Sequence, residues 1–188
     1  MHAKLNIFLV LAITTIAAIP SCHEPNPVQP PREPNPAAAP PGGEAADRLA
    51  IKSLIDAYSH CADRRETQKQ TDLFINDATI EVYDSEPGKT KPRAIIHGHT
   101  ELAAGFATLR KYDVTMHFNG QSSIQLNGDQ ATGETYCLAH HLWMENGKRM
   151  LMVMGIRYYD TFARLNGRWL FARRQLIFDW VDKRPSSP

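Results

Sequence analysis

A chain of 188 residues has room for one domain and some additional sequence. Its formal net charge is +1, and Lys and Arg gather at Arg64-Arg65 and Arg173-Arg174, each pair set among acids or hydrophobes. That balance excludes the broad basic face of a nucleic-acid binder and assigns the pairs to a solvated or ion-paired surface.

Lys4 precedes an apolar run from Leu5 to Ile19, too short for a comfortable membrane span and of the length of a signal-peptide core. The run ends in Ile19-Pro20-Ser21-Cys22, which resembles a bacterial lipobox with an atypical Pro20. Residues 1–21 are therefore read as a signal peptide and Cys22 as a lipidated first mature residue, with ordinary signal-peptidase cleavage as the alternative. Several acyl chains on one cysteine suffice for stable anchoring, so the only membrane contact expected is the lipid anchor. His23 is not the Asp that retains many lipoproteins at the inner membrane. The expected address is the bacterial cell envelope, with the outer membrane or periplasmic face favoured. Residues 22–43 form a Pro-rich linker, including Pro30-Pro31 and Pro40-Pro41. Extended polyproline geometry cannot bury a core and would span on the order of 60 Å at about 3.1 Å per residue.

The pattern turns helical at Glu44. Leu49, Ile51, Leu54, Ile55, Tyr58, Cys61 and Ala62 recur at helical spacing as one apolar stripe. A second short helix is expected around Thr67 to Ile75, a strand from Ala78 to Tyr83, and a loop from Ser85 to Pro92. His99 to Arg110 reads as a third helix started by Thr100, with Leu102, Phe106 and Leu109 on one face. From Asp113 to Trp180, Asn127-Gly128, Asn146-Gly147 and Asn166-Gly167 divide strand-like segments. Asn-Gly supplies the positive φ angles of a two-residue hairpin, so about four long antiparallel strands follow. Met150 to Ile156 is apolar at nearly every position, whereas a strand with one wet face alternates. Both faces should be covered, and a partner subunit in a homodimer is the expected cover for the outer one. Cys61 and Cys137 show no disulfide framework and read as small buried residues.

Helices followed by a long curved sheet give an α+β class. Four segments carry a family resemblance: Arg48 to Asp63 (RLAIKSLIDAYSHCAD), Thr115 to Phe118 (TMHF), Gly155 to Asp160 (GIRYYD), and Asn166 to Trp169 (NGRW) continuing to Asp179-Trp180. They resemble SnoaL-like domains of the nuclear transport factor 2-like superfamily, in its scytalone dehydratase and dehydrochlorinase branch. The resemblance implies a domain over 44–183, with 184–188 as a tail. It also implies a cone-shaped, strongly curved mixed or antiparallel sheet wrapped on about three N-terminal helices and enclosing a pocket. The fold hosts enzymes, binders and dimerisation modules, so it does not fix an activity.

The same resemblance implies that Asp63 pairs with His117 as orienter and general base, and that His141 is a second pocket histidine. Physically, a carboxylate on one ring nitrogen fixes the tautomer and stabilises the imidazolium. Asp63 and Glu66 also fit a capping box for the second helix, and His117 a hydrogen-bonded core histidine. His140 and His141 alternate along a strand, so only one can line a pocket. Tyr58 is read either as a hydrogen-bond donor to a ligand oxygen or as a core aromatic. It stands where the dehydrochlorinase carries a cation, which argues against dehalogenation. Trp143 and Tyr158 are further candidate ligand contacts, and Trp180 a candidate lid. His97 and His99 are too few for a metal site, and no phosphate loop is visible, so neither metal nor cofactor is expected.

Two readings of function remain. One is an exported, cofactor-free lyase, dehydratase or isomerase using a His-Asp dyad on a small, apolar, oxygenated ligand. The other is a non-catalytic small-ligand-binding or dimerisation module of the cell envelope.

Overall fold

The computed structural model describes residues 43–186. The expected signal peptide, Cys22 and the linker up to residue 42 lie outside the described residues. Helix α1 (Glu44–Arg64) buries Ile51, Leu54, Ile55, Tyr58, Cys61 and Ala62. Leu49 is a correction to the expected stripe: it is 68% exposed, because two residues turn a helix by about 200°. The helix stops at Arg65, which takes a left-handed conformation at φ 59°. Arg65 N–H donates to Ala62 O and Glu66 N–H to Cys61 O, the pair of bonds of a Schellman motif.

Helix α2 is only Thr67–Thr71, and strand β1 already begins at Phe74 (Phe74–Tyr83). The expected helix to Ile75 is thus too long, since Phe74 is taken up by pairing with Phe171. A short strand β2 (Ala94–His97), not foreseen, pairs antiparallel with β1 and leads directly into α3 (Gly98–Ala107). A 3-10 turn at Thr108–Lys111 follows. The long strands are β3 (Val114–Asn127), β4 (Gln130–Glu145), β5 (Lys148–Leu165) and β6 (Arg168–Pro185). Residues 184 and 185, expected in a tail, still pair with β5.

The six strands form one sheet in the order β2-β1-β6-β5-β4-β3, curled but not closed. β1 runs parallel to β6 and all other neighbours are antiparallel, giving a mixed α+β fold. Two of the Asn-Gly pairs, Asn146-Gly147 and Asn166-Gly167, have positive φ at both residues and close two-residue hairpins. The first hairpin is displaced by one residue: Asn127 pairs with Gln130, and the turn is Gly128-Asp129 with positive φ at Gly128 only. The core lies between α1, α3 and the inner sheet face, centred on Tyr58, Phe74, Phe106, Tyr158, Phe162 and Phe171. Cys61 and Cys137 are both buried and unpaired.

Candidate active site

Asp63 lies in the last turn of α1, and its carboxylate reaches the start of β3. There Thr115 and His117 face inward while Met116, between them, is 52% exposed. His117 Nδ1–H donates to Asp63 Oδ1 at 2.7 Å, and the His117 backbone N–H donates to Oδ2 at 2.9 Å. The Thr115 hydroxyl donates to Oδ1, also at 2.9 Å. A carboxylate can only accept, so this geometry places the ring proton on Nδ1. Asp63 is not a helix cap: the N-cap position of α2 is Glu66, and no side chain caps it. Burial works against ionisation of Asp63, but the bonds from His117 and Thr115 outweigh it and hold the carboxyl below its usual value.

Residue 115 pairs with residue 141 across the β3–β4 ladder, and residue 117 with residue 139. His117 and His141 are therefore diagonal neighbours on one face, with ring centroids 5.4 Å apart. His141 is buried and tilted against the Tyr112 ring at 4.3 Å. Neither of its ring nitrogens has a hydrogen-bond partner among the described residues. Burial, then the charges of His117 and Arg65, push its pKa down to about 4, so the ring is neutral near pH 7. His140 points to the opposite sheet face.

Both inward histidines line a pocket of about 540 Å³ between α3, the 3-10 turn and the inner sheet face. Ile80, Val82, Phe106, Met154, Ile156 and Leu176 make most of its wall apolar, and no Asp or Glu among the described residues lines it. Tyr58 and Tyr158 form part of its floor. Burial raises the pKa of both phenols, most of all Tyr158, so both stay protonated. Trp143, expected as a ligand contact, does not line this pocket. It meets Tyr112 edge-on at 5.7 Å and borders a separate shallow hollow with Lys111 and Lys183. Trp180 is not a lid: its indole covers Gly155 on the outer face, where a β-carbon would collide with it. A register shift between Gly155 and Ile156 leaves Asp179 unpaired and turns Phe178 and Val181 inward instead.

The SnoaL-like domain model matches residues 43–175, so α1, Asp63, His117 and His141 fall within the match, while the end of β6 with Leu176, Phe178 and Val181 lies beyond it. The chain belongs to the SnoaL-like domain family. An uncharacterised Mycobacterium tuberculosis protein is 26% identical over 133 residues, covering 70% of this chain and 84% of its own length. A scytalone dehydratase-like protein from Novosphingobium aromaticivorans superposes with a TM-score of 0.65 at 20% identity, covering 77% of this chain and 93% of that one. A hexachlorocyclohexane dehydrochlorinase gives 0.61 at 18% identity, covering 76% and 90%. At these identities the structural likeness is one of fold. Within this SnoaL-like chain, sequence reasoning missed the polar pocket residues Gln70, Arg93, Lys111 and Tyr112, and two that bear on the His117–Asp63 pair, Thr115 and Arg65. Thr115 had a legible signal, because two residues along a strand it shares the face of His117. Arg65 had none, being read as half of a surface basic pair.

Proposed function

We propose that this SnoaL-like chain is a cofactor-independent lyase or isomerase for a small, mostly apolar, oxygenated ligand, with His117 as general base. The observation that best supports this reading is the state of the His117 ring. Its Nδ1 is held by Asp63 at 2.7 Å, the ring lines an apolar pocket, and among the described residues nothing bonds to Nε2. An imidazole fixed in that tautomer offers the Nε2 lone pair to the pocket, and the ionised Asp63 stabilises the imidazolium that forms.

The proposed step removes a proton from a carbon next to a carbonyl or similar activating group. Nε2 takes the proton, the C–H electron pair becomes a C=C bond, and the group on the neighbouring carbon leaves with its bonding pair. The imidazolium then returns its proton to a departing hydroxide, releasing water and resetting the base. In an isomerisation the proton returns to a different carbon. Neutral His141 holds one donor and one acceptor nitrogen, both buried and unsatisfied among the described residues, beside the His117 ring. Protonated Tyr58 supplies a donor for developing negative charge on oxygen. Two of the fold neighbours bear the names of elimination enzymes, a dehydratase and a dehydrochlorinase, in line with this chemistry.

A second reading, a binding or dimerisation module, draws on the outer sheet face. Met116, Phe118, Leu138 and Trp180 are all exposed there, and Phe118 is 66% so. An exposed apolar patch of this kind suits a homodimer interface, with the pocket retained for a ligand. We also propose export and lipid anchoring through Cys22. A thermal-shift screen of small cyclic ketones, hydroxylated aromatics and epoxides tests the catalytic reading. Ligands that stabilise the wild type should lose their effect on His117→Ala and Asp63→Asn; equal shifts on all three proteins favour the binding module.

A further inference from the structure

We propose that Arg65 is a positioning residue for the histidine pair, acting by fixing the Thr115 hydroxyl as a donor to Asp63. The inference rests on the reading of His117 as base. Arg65 occupies the left-handed position at the end of α1, where glycine is the usual residue. Its guanidinium folds back across the helix end: Nη1 donates to Ala62 O at 2.8 Å and to Asp63 O at 3.2 Å. The same nitrogen donates to Thr115 Oγ1 at 2.6 Å, and Nη2 donates to Tyr112 O at 3.3 Å. Helix α1, strand β3 and the segment before it are thereby tied together at the point where Asp63 crosses to His117.

The direction of these bonds is fixed by valence. A guanidinium only donates, so Thr115 Oγ1 must accept from it. The single hydroxyl proton is then left for Asp63 Oδ1, at 2.9 Å. That is the oxygen which also accepts His117 Nδ1–H. Arg65 therefore acts through Thr115 and Asp63 on the His117 ring without touching the pocket itself. Its charge has a second effect. His141 faces His117 from β3, Asp63 and Arg65 from the end of α1, and Lys111 from the 3-10 turn; the Arg65 charge is among those that disfavour a proton on it. One residue thus supports a protonated Nδ1 on His117 and a neutral His141.

The test is the ring nitrogen spectrum of His117 in the ¹⁵N-labelled full-length chain, recorded at a pH above which the two ring nitrogen signals no longer move. The wild type should show one neutral tautomer, protonated at Nδ1. Arg65→Gly keeps the left-handed backbone and removes the guanidinium, and Thr115→Val removes the hydroxyl. Both should replace the single-tautomer signature with an averaged mixture of the two, while Arg65→Lys restores part of it. An unchanged Nδ1–H signature in Arg65→Gly overturns the proposal. If that variant does not fold, an unchanged signature in Thr115→Val overturns it equally. The readout needs no substrate: altered tautomers in a chain without lyase activity would leave the positioning role standing and count only against the catalytic reading.

Discussion

Arg174 and Asp160 form an ion pair in which neither side chain has any solvent exposure, with Nε and Nη2 donating to the two carboxylate oxygens at 2.8 Å each. The guanidinium also lies 4.1 Å from the Tyr58 ring and 4.0 Å from Tyr158, so the pair underlies the aromatic floor of the pocket. Burial pushes the Asp160 carboxyl above its usual range even with Arg174 beside it. Arg174→Met should therefore destabilise the domain by about 3–5 kcal/mol, since a buried acid loses its partner. The double replacement Arg174→Met with Asp160→Leu should cost much less. Urea unfolding of the three proteins measures both; a double variant as unstable as the single one contradicts the argument.

Acid sensitivity follows from His141. Its folded pKa of about 4 lies below the ordinary 6.5, so the unfolded chain binds the extra proton between those values. Stability from this group is complete above pH 6.5 and is lost as pH falls towards 4, by up to about 3 kcal/mol. Asp63, with its carboxyl held low, adds a further loss at still lower pH. His141→Gln should flatten the stability profile between about pH 6.5 and 4 and leave the more acidic limb. An unaltered slope in denaturant titrations across that range would show that His141 is not buried neutral.

The hairpin ladder was legible in the sequence because Asn-Gly imposes a backbone that few other pairs adopt. Even so, Asn127-Gly128 misplaced its turn by one residue, since Gly128 can serve as the first turn residue next to Asp129. Strand β2 was not legible, because four residues between a loop and a helix carry no periodicity. The meeting of Asp63 and His117 was not derivable from the helical stripe, from which Asp63 lies well off; the family resemblance placed it. Arg65 was invisible for another reason. Its role depends on a left-handed helix end folding a side chain back onto its own helix, and local sequence does not encode that.

Assembly is tested at the outer face. The chain lacking its first 43 residues should sediment as a dimer at micromolar concentration, and Phe118→Lys should make it monomeric with little change in unfolding midpoint. Phe118 is exposed, so the substitution removes no core contact. A monomeric wild type sinks the dimer proposal.

The anchor is tested at Cys22. Cys22→Ala should abolish incorporation of labelled palmitate and leave the chain released or retained as an uncleaved precursor. Continued labelling and membrane fractionation of that variant would rule out the lipobox reading.

The central claim, that His117 removes a proton from carbon, is most directly tested by exchange with solvent. Wild type is incubated in D₂O with the cyclic ketones and hydroxylated aromatics that stabilise it, and deuterium at carbon and loss of water are followed by mass spectrometry. Enzyme-dependent deuterium incorporation or dehydration is predicted for the wild type. His117→Ala and Asp63→Asn should each lose it, and the double variant should be little worse than either, because the pair acts as a unit. Ligands that bind the wild type pocket tightly yet neither exchange nor lose water, or that react equally well with His117→Ala, would contradict the claim.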